Sequence, residues 1–284
     1  MEQIVSAIEN PELAQELVRK AISDDDRGMG EQLAEQSSIN TIAEDDVVAP
    51  PSGHVDLLAG IYNSFTGELI DTAEVRELTG ADEEAISKIT DYGRSLLTIL
   101  QRGTVKIGEE KATKELLDKM LSGDRDYLVL KIRIATFGST IELSGTCPEC
   151  DAQQDITVDL EKDVPVTKLE DPTSNRTMEV DCRIGKVLVE YPNGVVQRKL
   201  IESKDKTAAE LDTLLLSQCV VQINDNPMVT EAQVRALGIQ DRRTLLKVLS
   251  DKNPGPELDK IVKTCTACGQ EVPTPLNLAD IFRL

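Results

Sequence analysis

Tryptophan is absent from this chain of 284 residues, aromatic residues make up only 2% of it, and there is a single histidine, His54. One histidine removes most imidazole-based acid–base and triad chemistry. Phosphate-cradling loops of the GxxxxGK[ST] or GxGxxG type are missing as well. Cations are in deficit: 31 Lys and Arg stand against 51 Asp and Glu, a formal net charge of -20. Such a chain repels phosphate backbones and anionic lipid, both of which need clustered Lys and Arg, so no nucleic-acid or membrane partner is expected. No apolar run approaches the roughly 18 to 20 residues that span a bilayer. The opening MEQI lacks a basic n-region and an apolar h-region, so the expected compartment is a cytosol. Carboxylates abound, Asp24, Asp25 and Asp26 for example, but acidic runs of this kind are solvated charge. The expectation is a protein that is not an enzyme.

Six cysteines are present, and in a reducing compartment they suit metal ligands or buried thiols better than a disulfide framework. Four fall into two Cys-x-x-Cys pairs, Cys147/Cys150 and Cys265/Cys268. Each pair has a Thr before the first thiol, Thr146 and Thr264, and a turn-tolerant residue after the second, Asp151 and Gly269. Apolar residues follow eight and ten positions after the second Cys, Val158 and Leu160 in one copy and Leu276 and Leu278 in the other. The same unit is built twice. Its physical form is a zinc knuckle, a tight turn whose backbone amides face two sulphurs and whose following residue favours φ > 0. Two facing knuckles make a closed tetrahedral Cys₄ zinc site with no position left for substrate. The 114 residues between Cys150 and Cys265 then form an insertion closed at its base. Three alternatives stand beside this reading: thioredoxin-like redox use, two local disulfides in an oxidising medium, and cysteines that hold no metal. Cys182 and Cys219 lie outside any pair and read as buried apolar thiols.

Along the chain, Asn10 and Pro11 start a helix over 11–22 whose stripe of Leu13, Leu17, Ala21 and their neighbours suits docking on another surface. Residues 23–53 hold eight acidic residues against Arg27 alone and read as a flexible tether. Residues 75–78 suggest a short strand, and 82–89, 96–100 and 109–121 suggest helices. The stretch 127–134 alternates like a strand, but Leu128, Ile132 and Ala135 share a helix face, and Asp124 and Asp126 as caps decide for helix. Residues 187–191 and 195–201 flank Pro192, Asn193 and Gly194 and read as a hairpin. Thr207/Glu210 and Thr230/Gln233 are capping boxes, opening helices over 208–221 and 231–237, with a third from about 241 to 251. Residues 253–256, Asn-Pro-Gly-Pro, stop that helix, and 258–264 lead as an extended segment into the second cysteine pair. The fold class is α+β: mainly helical segments with a split Cys₄ zinc ribbon bracketing a hairpin-plus-helices insertion. The expected divisions are 1–54 as arm, 55–138 as mainly helical domain, 139–180 with 257–284 as split ribbon, and 181–256 as insertion.

With these features in view the chain resembles the baseplate hub and hub-assembly proteins of T-even-type contractile-tailed phages. The likeness rests on LVLKIRIATFG at 128–138 leading to CPEC at 147–150, on VRELTG at 75–80, and on the second cysteine pair with Gly269 ahead of LADIFR at 278–283. It covers roughly 75–284 and leaves the N-terminal arm unmatched. The resemblance implies a virion or assembly role near the central hub, with synthesis in the host cytoplasm and a place in the tail baseplate. Its implied partners are other baseplate and hub proteins, met through the N-terminal helix or the apolar end at Ile281, Phe282 and Leu284; the other fate of that end is packing on the ribbon. The four cysteines carry over as metal ligands. Asp151, where such ribbons commonly have Gly, implies slight strain in the first knuckle.

Overall fold

Strands β1 (Ser52–Asn63) and β2 (Glu68–Arg76) open the computed structural model, which describes residues 50–282. The helix expected over 11–22 and most of the tether lie outside the described residues. Ser52 and Gly53, the last residues assigned to that tether, already pair with Arg76 and Val75. Strand β1 buries Val55, Leu57, Leu58, Ala59 and Ile61, a nearly continuous apolar run that fits a strand covered on both faces. Its register breaks between Asp56 and Ile61, where Gly60 takes φ +64 and a Cβ would lie 2.5 Å from the Ile70 carbonyl. Only glycine fits that bulge.

Helices α1 (Gly80–Ser87) and α2 (Tyr92–Gly103) follow, then β3 (Thr104–Ile107), β4 (Glu110–Lys111) and the short α3 (Lys114–Lys119). The strands form one antiparallel sheet in the order β1-β2-β3-β4. The stretch 55–138, expected to be mainly helical, therefore combines a sheet with its helices. The helix expected over 109–121 is shorter too, because Glu110 and Lys111 pair with Ile107 and Lys106.

Helix α4 (Ser122–Phe137) confirms the helical reading of 127–134 and organises the molecule. Leu128, Val129 and Ile132 pack against the four-stranded sheet, while Leu130 packs with the cysteine-bearing hairpins. Its first turn holds Gly123, where a Cβ would come within 1.3 Å of the Pro254 carbonyl oxygen. Asp124 and Asp126 do not cap it. Asp124 reaches back to the bulge of β1, and Asp126 accepts a hydrogen bond from Gln197 Nε2 at 2.9 Å. Desolvation pushes the Asp126 carboxyl up to about 6.

Next come β5 (Thr140–Thr146) and β6 (Gln153–Asp159), an antiparallel hairpin, then β7 (Val166–Thr167), β8 (Thr177–Cys182) and β9 (Gly185–Glu190). The hairpin expected across 187–201 is corrected here. Strand β9 pairs instead with β8 and with β10, and residues from Gly194 onward form helix α5 (Gly194–Glu202). The reason is the cap: Asn193 Oδ1 accepts from the amides of Val195 and Val196 at 3.0 and 3.2 Å, which starts a helix despite two adjacent valines. Helix α6 (Ala208–Cys219) leads into β10 (Val220–Ile223); α7 (Glu231–Ala236) and α8 (Ile239–Lys252) follow. Both predicted capping boxes are formed. These helices and the β10-β9-β8 sheet enclose a core of Val187, Val189, Leu216, Val234 and Leu245, with Cys219 inside it and Cys182 at its margin. Burial pushes the Cys219 thiol up to about 12.

The chain returns through β11 (Gly255–Pro256), which pairs with β7, then through a 3₁₀ turn (Leu258–Lys260) to β12 (Val262–Thr264), β13 (Glu271–Pro273) and α9 (Leu278–Ile281). Ile281 is buried, and Phe282 packs partly against the same cores. Among the described residues no helix is long and apolar enough to cross a membrane.

Candidate metal centre

The turn of β5-β6 carries Cys147 and Cys150, and the turn of β12-β13 carries Cys265 and Cys268. Short antiparallel strands and closely matched backbone hydrogen bonds form both turns. In the first, the Cys147 amide donates to the Ala152 carbonyl at 3.0 Å and the Asp151 amide to the Cys147 carbonyl at 3.0 Å. In the second, the Cys265 amide donates to the Gln270 carbonyl at 2.8 Å and the Gly269 amide to the Cys265 carbonyl at 2.9 Å. Asp151 and Gly269 occupy equivalent positions with φ of 58° and 75°. The left-handed backbone read from their residue types is present in both turns.

The sequence repeat extends less far than the backbone repeat. Val158 and Leu160 are buried on or just beyond β6, whereas Leu276 and Leu278 lie past the end of β13, whose own buried residue is Val272. A further clasp joins the hairpins: Gln154 Oε1 accepts from the Thr266 amide at 2.9 Å and from its hydroxyl at 3.1 Å. Spacing gave no signal for this contact, because it links residues 112 apart.

All four sulphurs lie within 4.8 Å of one another. Cys147 Sγ stands 3.7 Å from Cys268 Sγ, and Cys150 Sγ stands 3.8 Å from Cys265 Sγ. Four thiolates bound at about 2.3 Å around a tetrahedral ion place their sulphurs about 3.8 Å apart. The donor set fits a metal ion, which four such thiolates would hold without an open coordination position. Cys147 and Cys265 are buried, with Ile156, Val158, Ile261 and Val272 in the same core, while Cys150 and Cys268 are exposed.

Electrostatics divide the sulphurs further. The amides of Cys268 and Ala267 draw the Cys265 thiol down to about 6. The Ala152 amide also favours the Cys150 thiolate, but hydrogen bonding to Cys268, desolvation and the other two sulphurs together push that thiol up to about 12. A bound cation would favour the thiolate form of the Cys150 sulphur against these effects.

Outside this cluster, His54 is exposed on β1 with Nε2 3.2 Å from Asp56 Oδ1. Reading the sequence missed a second buried polar constellation. Asp124 accepts amides from Leu58, Ala59 and Gly60 at 2.6, 3.1 and 2.8 Å. Arg176 Nη2 donates to the carbonyls of Ala59 and Gly60, both at 2.8 Å. Together they satisfy the backbone groups that the β1 bulge frees, which is a structural role.

A family model described as T4 bacteriophage base plate protein matches residues 71–236, more than half of the chain. The match takes in Cys147 and Cys150 and ends before the second pair. No curated protein and no solved structure matches.

Proposed function

Since the chain belongs to the T4 bacteriophage base plate protein family, we propose that it is a structural component of the tail base plate near its hub. In this reading it acts through contacts with other base plate proteins and catalyses no reaction. Zinc, bound by Cys147, Cys150, Cys265 and Cys268, closes the insertion. The observation that carries the metal part is the four-sulphur cage, with separations of 3.7 and 3.8 Å across its two hairpins. A tetrahedral all-sulphur set suits zinc or iron, and zinc in such a closed site supplies folding energy rather than chemistry. The ion neutralises the thiolates; the knuckle amides orient them.

The non-catalytic reading draws support from the absence of an open ligand position in that cage and from an exposed lone histidine paired only with Asp56. The division into arm, N-terminal domain, split ribbon and insertion belongs to the same proposal. Two measurements test it. Purified tails should contain the protein in fixed stoichiometry; its absence from finished particles would make it a transient assembly factor instead. Elemental analysis of the purified chain should find one zinc per chain, and iron or no metal would overturn the zinc assignment.

A further inference from the structure

We propose that the same four cysteines form a cross-hairpin disulfide site for small disulfide molecules, joining Cys147 to Cys268 and Cys150 to Cys265. Two of the sulphur contacts in the cage, 3.7 and 3.8 Å, each link one thiol of the first hairpin to one of the second. Each also pairs a buried sulphur with an exposed one: Cys147 with Cys268, and Cys265 with Cys150. A small disulfide therefore meets Cys150 and Cys268 first. Attack by either exposed sulphur, its proton passing to solvent, breaks the small disulfide, leaves a mixed disulfide on the protein and releases one small thiol. The buried partner then attacks the protein sulphur and expels the second small thiol. Per bond, two protein thiols and one small disulfide become one protein disulfide and two small thiols, so electrons and protons balance. Any bound divalent ion leaves as its thiolates are consumed.

Bond formation needs an approach of roughly 1.7 Å per pair from the observed separations, given a sulphur–sulphur bond of about 2.05 Å. The Gln154–Thr266 clasp already holds the hairpins together during that approach. The chain-level consequence separates this chemistry from local oxidation. Bonds within each Cys-x-x-Cys would leave the 114 residues between Cys150 and Cys265 unclosed, whereas cross-hairpin bonds keep the closure after metal loss.

This inference uses the sulphurs of the metal site but does not require that they bind metal. The test treats the full chain, before and after chelation, with oxidised glutathione, blocks remaining thiols, and maps disulfide-linked peptides by mass spectrometry without reduction. Peptides joining Cys147 to Cys268 and Cys150 to Cys265 should exceed local pairs at least tenfold. Predominance of Cys147–Cys150 and Cys265–Cys268 peptides would overturn the proposal, and so would glutathione adducts alone. Metal content measured on the untreated chain reports separately on zinc: cross-hairpin bonds in a chain purified without metal would uphold this inference while the zinc assignment fell.

Discussion

Asp124 accepts the amide of Gly60 at 2.8 Å across 64 positions of sequence, and so fixes the first turn of helix α4 against the bulge of strand β1. The same carboxylate serves Leu58 and Ala59, and no solvent reaches it. Asp124→Asn turns one acceptor oxygen into a donor that faces amide donors. We expect a loss of about 2–4 kcal/mol, the scale of a broken buried charge-assisted network. Urea unfolding with an unchanged midpoint would refute the role assigned to Asp124.

Gly123 lies one residue earlier and packs directly against the backbone of Pro254 and Gly255. Gly123→Ala would set a Cβ 1.3 Å from the Pro254 carbonyl, so helix and β11 must separate. We expect about 3 kcal/mol or more of destabilisation, beyond the usual overpacking range for one methyl. Gly67→Ala, at a turn glycine with open space around it, should cost only about 1 kcal/mol through its positive φ. Equal thermal shifts for the two variants would contradict the crossing.

Stability should also depend on acid through Asp82, which pairs with Arg76 at 2.8 Å and Arg102 at 3.0 Å. Burial alone would raise this carboxyl, but Arg76, the Thr79 amide and Arg102 hold it well below the usual carboxylate range. A lowered folded-state value means that the contribution is complete above the unfolded-state value of about 3.9 and fades as pH falls below it. The stability difference between wild type and Asp82→Asn should therefore be largest at neutral pH and shrink at pH 3. Denaturant midpoints for both proteins across that interval check the sign.

Chelation should act on the cage and the insertion together. By the loop-closure relation, freeing a segment of this length costs about 5 kcal/mol, and Cys265→Ser should approach that loss in protein purified with metal. Differential scanning calorimetry with and without chelator is the measurement; a melting curve indifferent to chelation would count against a structural metal.

The two left-handed residues offer a finer comparison. Gly269 has nothing within 4 Å of its missing Cβ, so Gly269→Val meets only the backbone penalty and should cost about 1–2 kcal/mol. Asp151→Gly relieves that penalty in the other turn and should change stability by less than about 1 kcal/mol. Thermal melts of metal-loaded protein would reverse this ranking if the turns were not equivalent.

What could be read from sequence follows how local each signal is. The two cysteine turns were legible because Thr, two thiols and a turn-tolerant residue lie within a few positions, and so were the boxes at Thr207 and Thr230. Strand β1 was not, since Leu57, Leu58, Ala59 and Ile61 form an apolar run without alternation. Helix α5 was misread because Val195 and Val196 favour strands, while the deciding contact is the Asn193 side chain. Asp124 looked like a cap for its own helix; its partners 64 to 66 positions away left no trace in local spacing. The Gln154 clasp was hidden for the same reason.

The crossing of the two cysteine hairpins also defines a mechanical path. Cys147 and Cys268 are separated by 121 positions along the chain but by 3.7 Å in space. Were the proposed ion bound there, tension entering along β5 and leaving past β13 would pass from sulphur to sulphur. Helix α5 keeps its own tie to helix α4 through Gln197 and Asp126, so such a path would run in parallel with the packed core.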